Sequence, residues 1–307
     1  MTPDGESKMQ SSPSLAESLA EAVITATDAN GGRWLSEAIG RVDTCLDPTA
    51  DLPILSARAR RAVGQSTLDA HGPVLHTSDG PIRTEAWDVG AAARVVLALK
   101  VVARAADVRQ SVGAIQTLYR SGDESEKVAV VRALSAFGSG DALKPIALDA
   151  GRTNSLVLFA ALALNNPFPA AHYTEHEFNQ LVLKAVFVEV PAQHVFGLED
   201  RTNPSLSRMC EDYVDERTAA RRGFPPGLWL ALAPHAGERA VDVLFKAVVD
   251  GDPDHRELAS AAMARRCATD MTLRRAIQHR ADAAVDEHVR TAYINVLSAV
   301  PAPSLSR

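Results

Sequence analysis

The chain has 307 residues, of which 46% are hydrophobic, 5% aromatic and 23% charged. This length can supply one large or two modest hydrophobic cores, and the abundance of alanine, leucine, valine, arginine and glutamate favours helices over sheets. The formal net charge of -6 combines both signs. It argues against a nucleic-acid-binding protein, which usually presents a basic face, so we expect no nucleic-acid partner.

Cysteine spacing and hydropathy indicate the compartment. Cys45, Cys210 and Cys267 lie far apart and form neither a CxxC pair nor a disulfide pattern, which favours a reducing environment. The N-terminal sequence MTPDGESKMQSSP lacks the charged start and apolar core of a signal peptide. The longest apolar run, Val95–Ala103, is interrupted by Lys100 and is shorter than the roughly 18–20 residues that cross a bilayer. We therefore expect a cytoplasmic protein with no direct membrane span.

The chain begins with small and polar residues. Residues 1–13 are predicted to be a disordered tail, and residues 14–307 a single helical domain. The first helix is predicted from Ser14 to Asp28, with Ser14 as its N-cap and Glu17 completing a capping box.

Two further helices are predicted before residue 64. The sequence Asn30-Gly31-Gly32 is expected to end the first helix, and a second begins near Trp34 and ends before Asp47-Pro48. A short third helix is predicted around Leu55 to Ala62.

Residues 71–87 are the least regular stretch of the chain. Two glycines, two prolines and two histidines predict a long loop packed over the helices. His71 and His76 are candidate metal ligands or acid–base groups, but nothing nearby completes either kind of site. We interpret both as loop histidines.

From Asp88 onward the helical pattern is continuous. AAARVVLALKVVARAA is so apolar that a central helix is expected, and helices of about 10–15 residues follow, separated by Gly, Asp and Ser turns. Asp123 to Asn166 resembles two HEAT-like units, and the same spacing returns after Glu238. The sequence thus predicts an all-α fold, an irregular α-solenoid of HEAT-like antiparallel helix pairs.

Histidines and carboxylates cluster in the middle of the chain. His172 and His176 are four residues apart and would share one face of a continuous helix, as in half of a metal site. Thr174, however, is a candidate N-cap whose capping box Glu177 would close, which places His172 outside the helix. Metal binding and helix capping are both open interpretations of this pattern.

Amides dominate the rest of this region. In Asn165–Pro169 the asparagines are expected to cap or end the preceding helix, and the prolines to impose an extended turn. Asn179 lies beside an apolar helix face, where a buried amide needs partners. Lys184 is interpreted either as an anion-binding group or as a side chain that snorkels from the helix surface. Asn203-Pro204 has the pattern of a helix start.

The segment Leu164–Arg222 resembles the EboA family of metabolite traffic proteins. The resemblance lies in NNPFPA, EHEFNQ, VLKAVF, GLE and an Asn-Pro pair followed by a D-Y-x-x-E-R helix. It covers about a fifth of the chain. It implies a cytoplasmic accessory protein that helps to move a secondary-metabolite precursor or product toward the membrane. It further implies partners among proteins of the same pathway or gene cluster.

The resemblance transfers no catalytic residue and implies no cofactor. The matched polar positions are candidate contacts for a small-molecule metabolite or a partner protein: Asn165, Asn166, His172, Glu175, His176, Asn179, Gln180, Lys184, Asn203 and Arg208. A non-enzymatic scaffold or carrier is the favoured interpretation. The alternatives are an enzyme that uses His172, Glu175 and His176 for acid–base or metal chemistry, and a purely structural segment.

Overall fold

The computed structural model describes residues 14–301, and the predicted disordered tail at residues 1–13 lies outside this range. Within it the chain forms sixteen α-helices, short 3-10 turns and one two-stranded sheet. The predicted all-α class is therefore confirmed, whereas the solenoid of HEAT-like pairs stays a prediction. The chain divides into two compact units, the first ending at Leu162 and the second beginning at Ala163.

The first unit is built from helices and one β-hairpin. Its helices are α1 (Leu15–Ala26), α2 (Ala29–Thr44), α3 (Pro48–Val63), α4 (Val89–Arg104), α5 (Val108–Ser121), α6 (Glu124–Arg132), α7 (Lys144–Arg152) and α8 (Leu156–Ala163), which ends one residue into the second unit. The hairpin strands are β1 (Val74–Thr77) and β2 (Gly80–Arg83).

The α4 helix is the centre of the first unit, as its apolar sequence predicted. It packs against α1, α2, α3, α5 and α6, and twelve of its sixteen residues are buried. A helix that is apolar on every face is stable only where other elements surround it, so the neighbouring helices pack around α4.

A buried polar network joins α3, α4 and α6. Arg94 of α4 donates through Nε to the Ser56 carbonyl at 3.1 Å, and the Ser56 hydroxyl donates to Glu126 Oε1 at 2.6 Å. Glu126 Oε2 accepts from the Asp123 backbone N–H at 2.9 Å and so closes the capping box of α6. One carboxylate therefore caps its own helix and accepts a hydrogen bond from α3 in the interior.

The start of α1 is confirmed, but its end and the start of α2 differ from the prediction. Ser14 and Glu17 form the expected capping box, and α1 ends at Ala26. Asn30-Gly31-Gly32 does not end α1; it lies in the first turn of α2, which Asp28 caps. Gly31 is required there because a β-carbon would collide with the Thr27 hydroxyl and lie 3.1 Å from the Ala62 carbonyl oxygen.

The third helix is longer than predicted. It begins at Pro48, with Asp47 as its N-cap, and continues through Pro53 to Val63. Pro48 at the first helical position removes no intrahelical hydrogen bond, because the first four N–H groups of a helix have no intrahelical partner. Pro53 lies inside the helix and removes one such hydrogen bond.

The predicted loop at residues 71–87 contains the β-hairpin instead. Leu75 pairs with Ile82, both are buried, and Ser78-Asp79 forms the turn. Pro81 lies opposite His76. A proline cannot donate to the ladder, so the stretch lacks the sequence pattern of a regular strand.

The second unit contains the remaining helices. These are α9 (Pro167–His172), α10 (Glu175–Phe187), α11 (Pro204–Ala219), α12 (Leu228–Leu232), α13 (Glu238–Asp250), α14 (Pro253–Cys267), α15 (Met271–Ala283) and α16 (Glu287–Ser298). The predicted Gly-Asp-Pro turn between two helices is confirmed, because Asp252 caps α14 and Pro253 is its first residue.

The α14 helix holds the later part of the second unit together. It packs against α12, α13, α15 and α16. The buried Trp229 indole donates to His255 Nδ1 at 2.9 Å, and the Phe224 ring meets both rings edge-on. Among the helices between residues 14 and 301, none combines the length and apolar character that crossing a bilayer requires.

The network around Glu126 gives the first prediction. Glu126→Ala removes the acceptor of both the Ser56 hydroxyl and the Asp123 N–H, so we expect a loss of about 1–3 kcal/mol of unfolding free energy. Glu124→Ala is the matched control, because Glu124 is exposed in the same turn of α6. Urea denaturation of both variants measures the difference, and equal stabilities would contradict a stabilising role for the network.

Candidate functional site

The NNPFP sequence forms a short helix rather than the predicted extended turn. Asn166 caps it by accepting the Phe168 N–H at 3.1 Å, and Pro167 takes the first helical position of α9. Asn165 adopts a left-handed backbone with φ of 53°, and its N–H donates to the His194 carbonyl at 2.8 Å. Asn166 thus acts at the start of α9, where proline at the first helical position favours a helix start, whereas Asn165 lies just after the end of α8 at Ala163.

The capping interpretation of the histidine pair is confirmed. Thr174 caps α10, and its N–H donates to Glu177 Oε2 at 2.8 Å while Glu177 N–H donates to the Thr174 hydroxyl at 3.3 Å. His172 is consequently the last residue of α9, whereas His176 is an exposed residue of α10. The two histidines do not share one helix face.

The His172 ring packs on an aromatic side chain. Its centroid lies 4.4 Å from that of the Phe168 ring, and Phe168 is fully buried. Over residues 14–301 no group of three His, Cys, Asp or Glu side chains is arranged to hold a metal ion.

Two amides join α10 to the start of α11. The Asn179 amide nitrogen donates to Asn203 Oδ1 at 3.1 Å, and the Asn203 amide nitrogen donates to Asn179 Oδ1 at 2.9 Å. Asn203 Oδ1 also accepts the Leu206 N–H at 2.9 Å, which caps α11. Asn179 is 2% exposed, so its predicted need for partners is met by this reciprocal pair.

Arg201 was not among the predicted site residues, yet it fixes the end of α9. Its Nη1 donates to the carbonyls of Pro169 at 3.1 Å and Ala170 at 2.8 Å, and its Nη2 donates to the Tyr173 carbonyl at 2.8 Å. The planar guanidinium can reach several carbonyls at once because its donors form a rigid fork. Its partners lie about thirty residues earlier, which no local sequence pattern reveals.

The same guanidinium stacks on α10. It lies 4.5 Å from the centre of the Phe178 ring. Burial lowers the pKa of Arg201 from its usual value, and the charge of Glu175 opposes that shift. Arg201 therefore connects α9, α10 and the start of α11.

The α10 and α11 helices, which these contacts hold together, form the two walls of an open groove of about 440 Å³. This volume is in the range of about 300–1,000 Å³ that is typical of small-molecule sites. Each helix lines the groove with positions i, i+3, i+4 and i+7, which share one helix face. The lining residues are Gln180, Leu183, Lys184 and Phe187 of α10, and Met209, Asp212, Tyr213 and Glu216 of α11.

The groove combines apolar surface with charged groups. Leu183, Met209 and Tyr213 are half-buried, whereas the Phe187 side chain is 70% exposed. Burial lowers the pKa of Lys184. This mixture suits an amphipathic ligand, because apolar side chains supply binding area and a few polar groups fix orientation.

A cysteine lies on α11 but does not line this groove. Burial raises the pKa of Cys210 to about 12, with a smaller contribution from the charge of Glu211. The thiol is protonated at neutral pH and is a poor nucleophile.

Of the ten predicted site residues, only Gln180 and Lys184 line the groove. The amides of Asn166, Asn179 and Asn203 make the capping and pairing contacts described above. The exposed residues outside the groove are Asn165, Glu175, His176 and Arg208.

A family model described as "Metabolite traffic protein EboA" matches residues 16–233 of the chain. No curated protein and no solved structure matches it. The matched region includes every residue that lines the groove.

The paired amides give a second prediction. Asn179→Ala leaves part of the Asn203 amide without its partner in a buried setting, so we expect about 1–3 kcal/mol lower unfolding free energy. His176→Ala, an exposed change on the same helix, is expected to alter stability by less than about 0.5 kcal/mol. Thermal and urea denaturation compare the two variants, and an equally stable Asn179→Ala variant would show that the amide pair is dispensable.

Arg201 gives a third prediction. Arg201→Lys retains the charge but replaces the fork with a single ammonium, so we expect a loss of about 1–3 kcal/mol of unfolding free energy. Arg208→Lys is the control because Arg208 is exposed. Chemical denaturation of both is the measurement, and a fully stable Arg201→Lys variant would mean that charge alone suffices.

Proposed function

This chain belongs to the EboA family of metabolite traffic proteins, and we propose that it is a non-enzymatic helical carrier for a small metabolite. The carrier would act in the cytoplasm and assist the movement of a secondary-metabolite precursor or product toward the cell membrane. It would pass its cargo to proteins of the same pathway or gene cluster.

The groove between α10 and α11 is the observation that carries this proposal. It has the volume of a small-molecule site, apolar surface on both helices and charged groups at intervals along them. Its exposed Phe187 side chain is large and apolar, and such a side chain gains free energy when a ligand covers it.

The polar residues of the segment also favour a carrier over an enzyme. Thr174 and Glu177 cap α10, and His172 packs on Phe168 at the end of α9. These contacts give Thr174, Glu177 and His172 structural roles that account for them without a catalytic reaction. A binding function requires only the groove.

Partner proteins would contact the exposed polar residues outside the groove. Glu175, His176 and Arg208 are exposed and belong to α10 and α11, the helices that line the groove. A partner that touched these residues would lie beside the cargo. Capture of proteins from the native host with the wild-type chain and a His176→Ala/Arg208→Ala variant tests this, and identical captured proteins would contradict it.

The carrier proposal gives a fourth prediction. Purified from its native host, the wild-type chain is expected to retain a small molecule that native mass spectrometry and solvent extraction detect. Phe187→Ala removes exposed apolar area from the groove, so we expect several-fold lower occupancy with an unchanged unfolding midpoint.

Met271→Ala is the matched control. Met271 is a large side chain, 53% exposed, on α15 and away from the groove. The fraction of the Met271→Ala variant that retains the small molecule is expected to equal that of the wild type. Equal occupancy in the Phe187→Ala variant, or a wild-type chain that carries no small molecule, would overturn the proposal.

A further inference from the structure

We propose that the α10–α11 groove binds an organic cation, a ligand with an amine head and an apolar or aromatic body, and that Asp212 and Glu216 hold its head. This inference rests on the proposed function of the groove as a metabolite site and specifies the chemical class of its cargo.

The two carboxylates are placed together on the groove side of α11. Asp212 and Glu216 are four residues apart, so they occupy adjacent turns of one helix face, and both line the groove. Like charges at this spacing repel each other and destabilise a helix. A cation between the two side chains would remove that repulsion.

Neither groove carboxylate has a hydrogen-bond or ion-pair partner among residues 14–301. The other two acidic residues of the same stretch do have partners. Glu211 accepts the Gly237 N–H at 2.7 Å, and Asp215 lies 3.7 Å from Arg239. Glu211 and Asp215 thus have protein contacts, whereas the two carboxylates that line the groove have none within the described part of the chain.

The aromatic groups of the groove favour a cation as well. The Tyr213 ring already attracts one, because the Arg217 guanidinium lies 5.8 Å from its centre while Arg217 Nε donates to the Gly223 carbonyl at 2.6 Å. The Phe187 ring is largely exposed. Aromatic faces attract cations through the negative charge of the π-system, and the attraction grows where water is excluded.

The one cationic residue among the described residues that line the groove lies on the wall opposite the carboxylates. Lys184 belongs to α10, whereas Asp212 and Glu216 belong to α11. An amine head is therefore expected to point toward α11, with the apolar body against Leu183, Phe187 and Met209.

Three ligands with one naphthylethyl body test the inference: the primary amine, the alcohol and the carboxylic acid. Isothermal titration calorimetry of the full chain at low salt is expected to give the amine a dissociation constant about five- to thirtyfold lower than the alcohol. In the Asp212→Asn/Glu216→Gln variant the affinity ratio of amine to alcohol is expected to fall to about one.

Asp215→Asn is the control variant, because it removes a carboxylate from the same helix without changing the groove lining. It is expected to keep the preference for the amine. Equal affinity for the amine and the alcohol, tighter binding of the acid, or no binding of the amine would each overturn the cation inference. The first two results would leave the carrier proposal intact, and the retained-cargo experiment decides that proposal separately.

Discussion

The reciprocal amide pair of Asn179 and Asn203 determines how α10 and α11 face each other. Each amide donates to the oxygen of the other, and Asn203 also caps α11. Because the pair is largely removed from water, a shift of either helix would leave polar groups unsatisfied. The groove, which needs two helix faces in a defined register, depends on this constraint.

The local features of the fold were predictable from sequence, because their signals span only a few residues. The capping boxes of Ser14 with Glu17 and of Thr174 with Glu177 were predicted in place, as was the Asn203 cap. The α4 helix was recognisable as central because its sequence is apolar on every face. Helix caps and buried helices can be predicted because each depends on the type of a residue and of its neighbours within a few positions.

Features that depend on distant partners were missed. The role of Arg201 requires carbonyls from residues 169 to 173, and part of the need for Gly31 comes from the close approach of α3. The hairpin was not predicted because its second strand contains Pro81, which cannot donate a backbone hydrogen bond to the ladder. The groove was missed because its two walls come from separate stretches of sequence, and six of its eight lining residues were not among the predicted site residues.

The residues that hold α10 and α11 together differ from the residues that line the groove. Asn179, Asn203 and Arg201 supply the contacts that hold the helices, whereas Gln180, Phe187, Asp212 and Glu216 line the groove from exposed positions. Exposed positions tolerate substitution at little expense in stability, but the amide pair does not. If the groove binds a metabolite as proposed, substitutions in its lining can change which molecule fits while the contacts that hold the two helices stay intact, so ligand preference can evolve separately from folding stability.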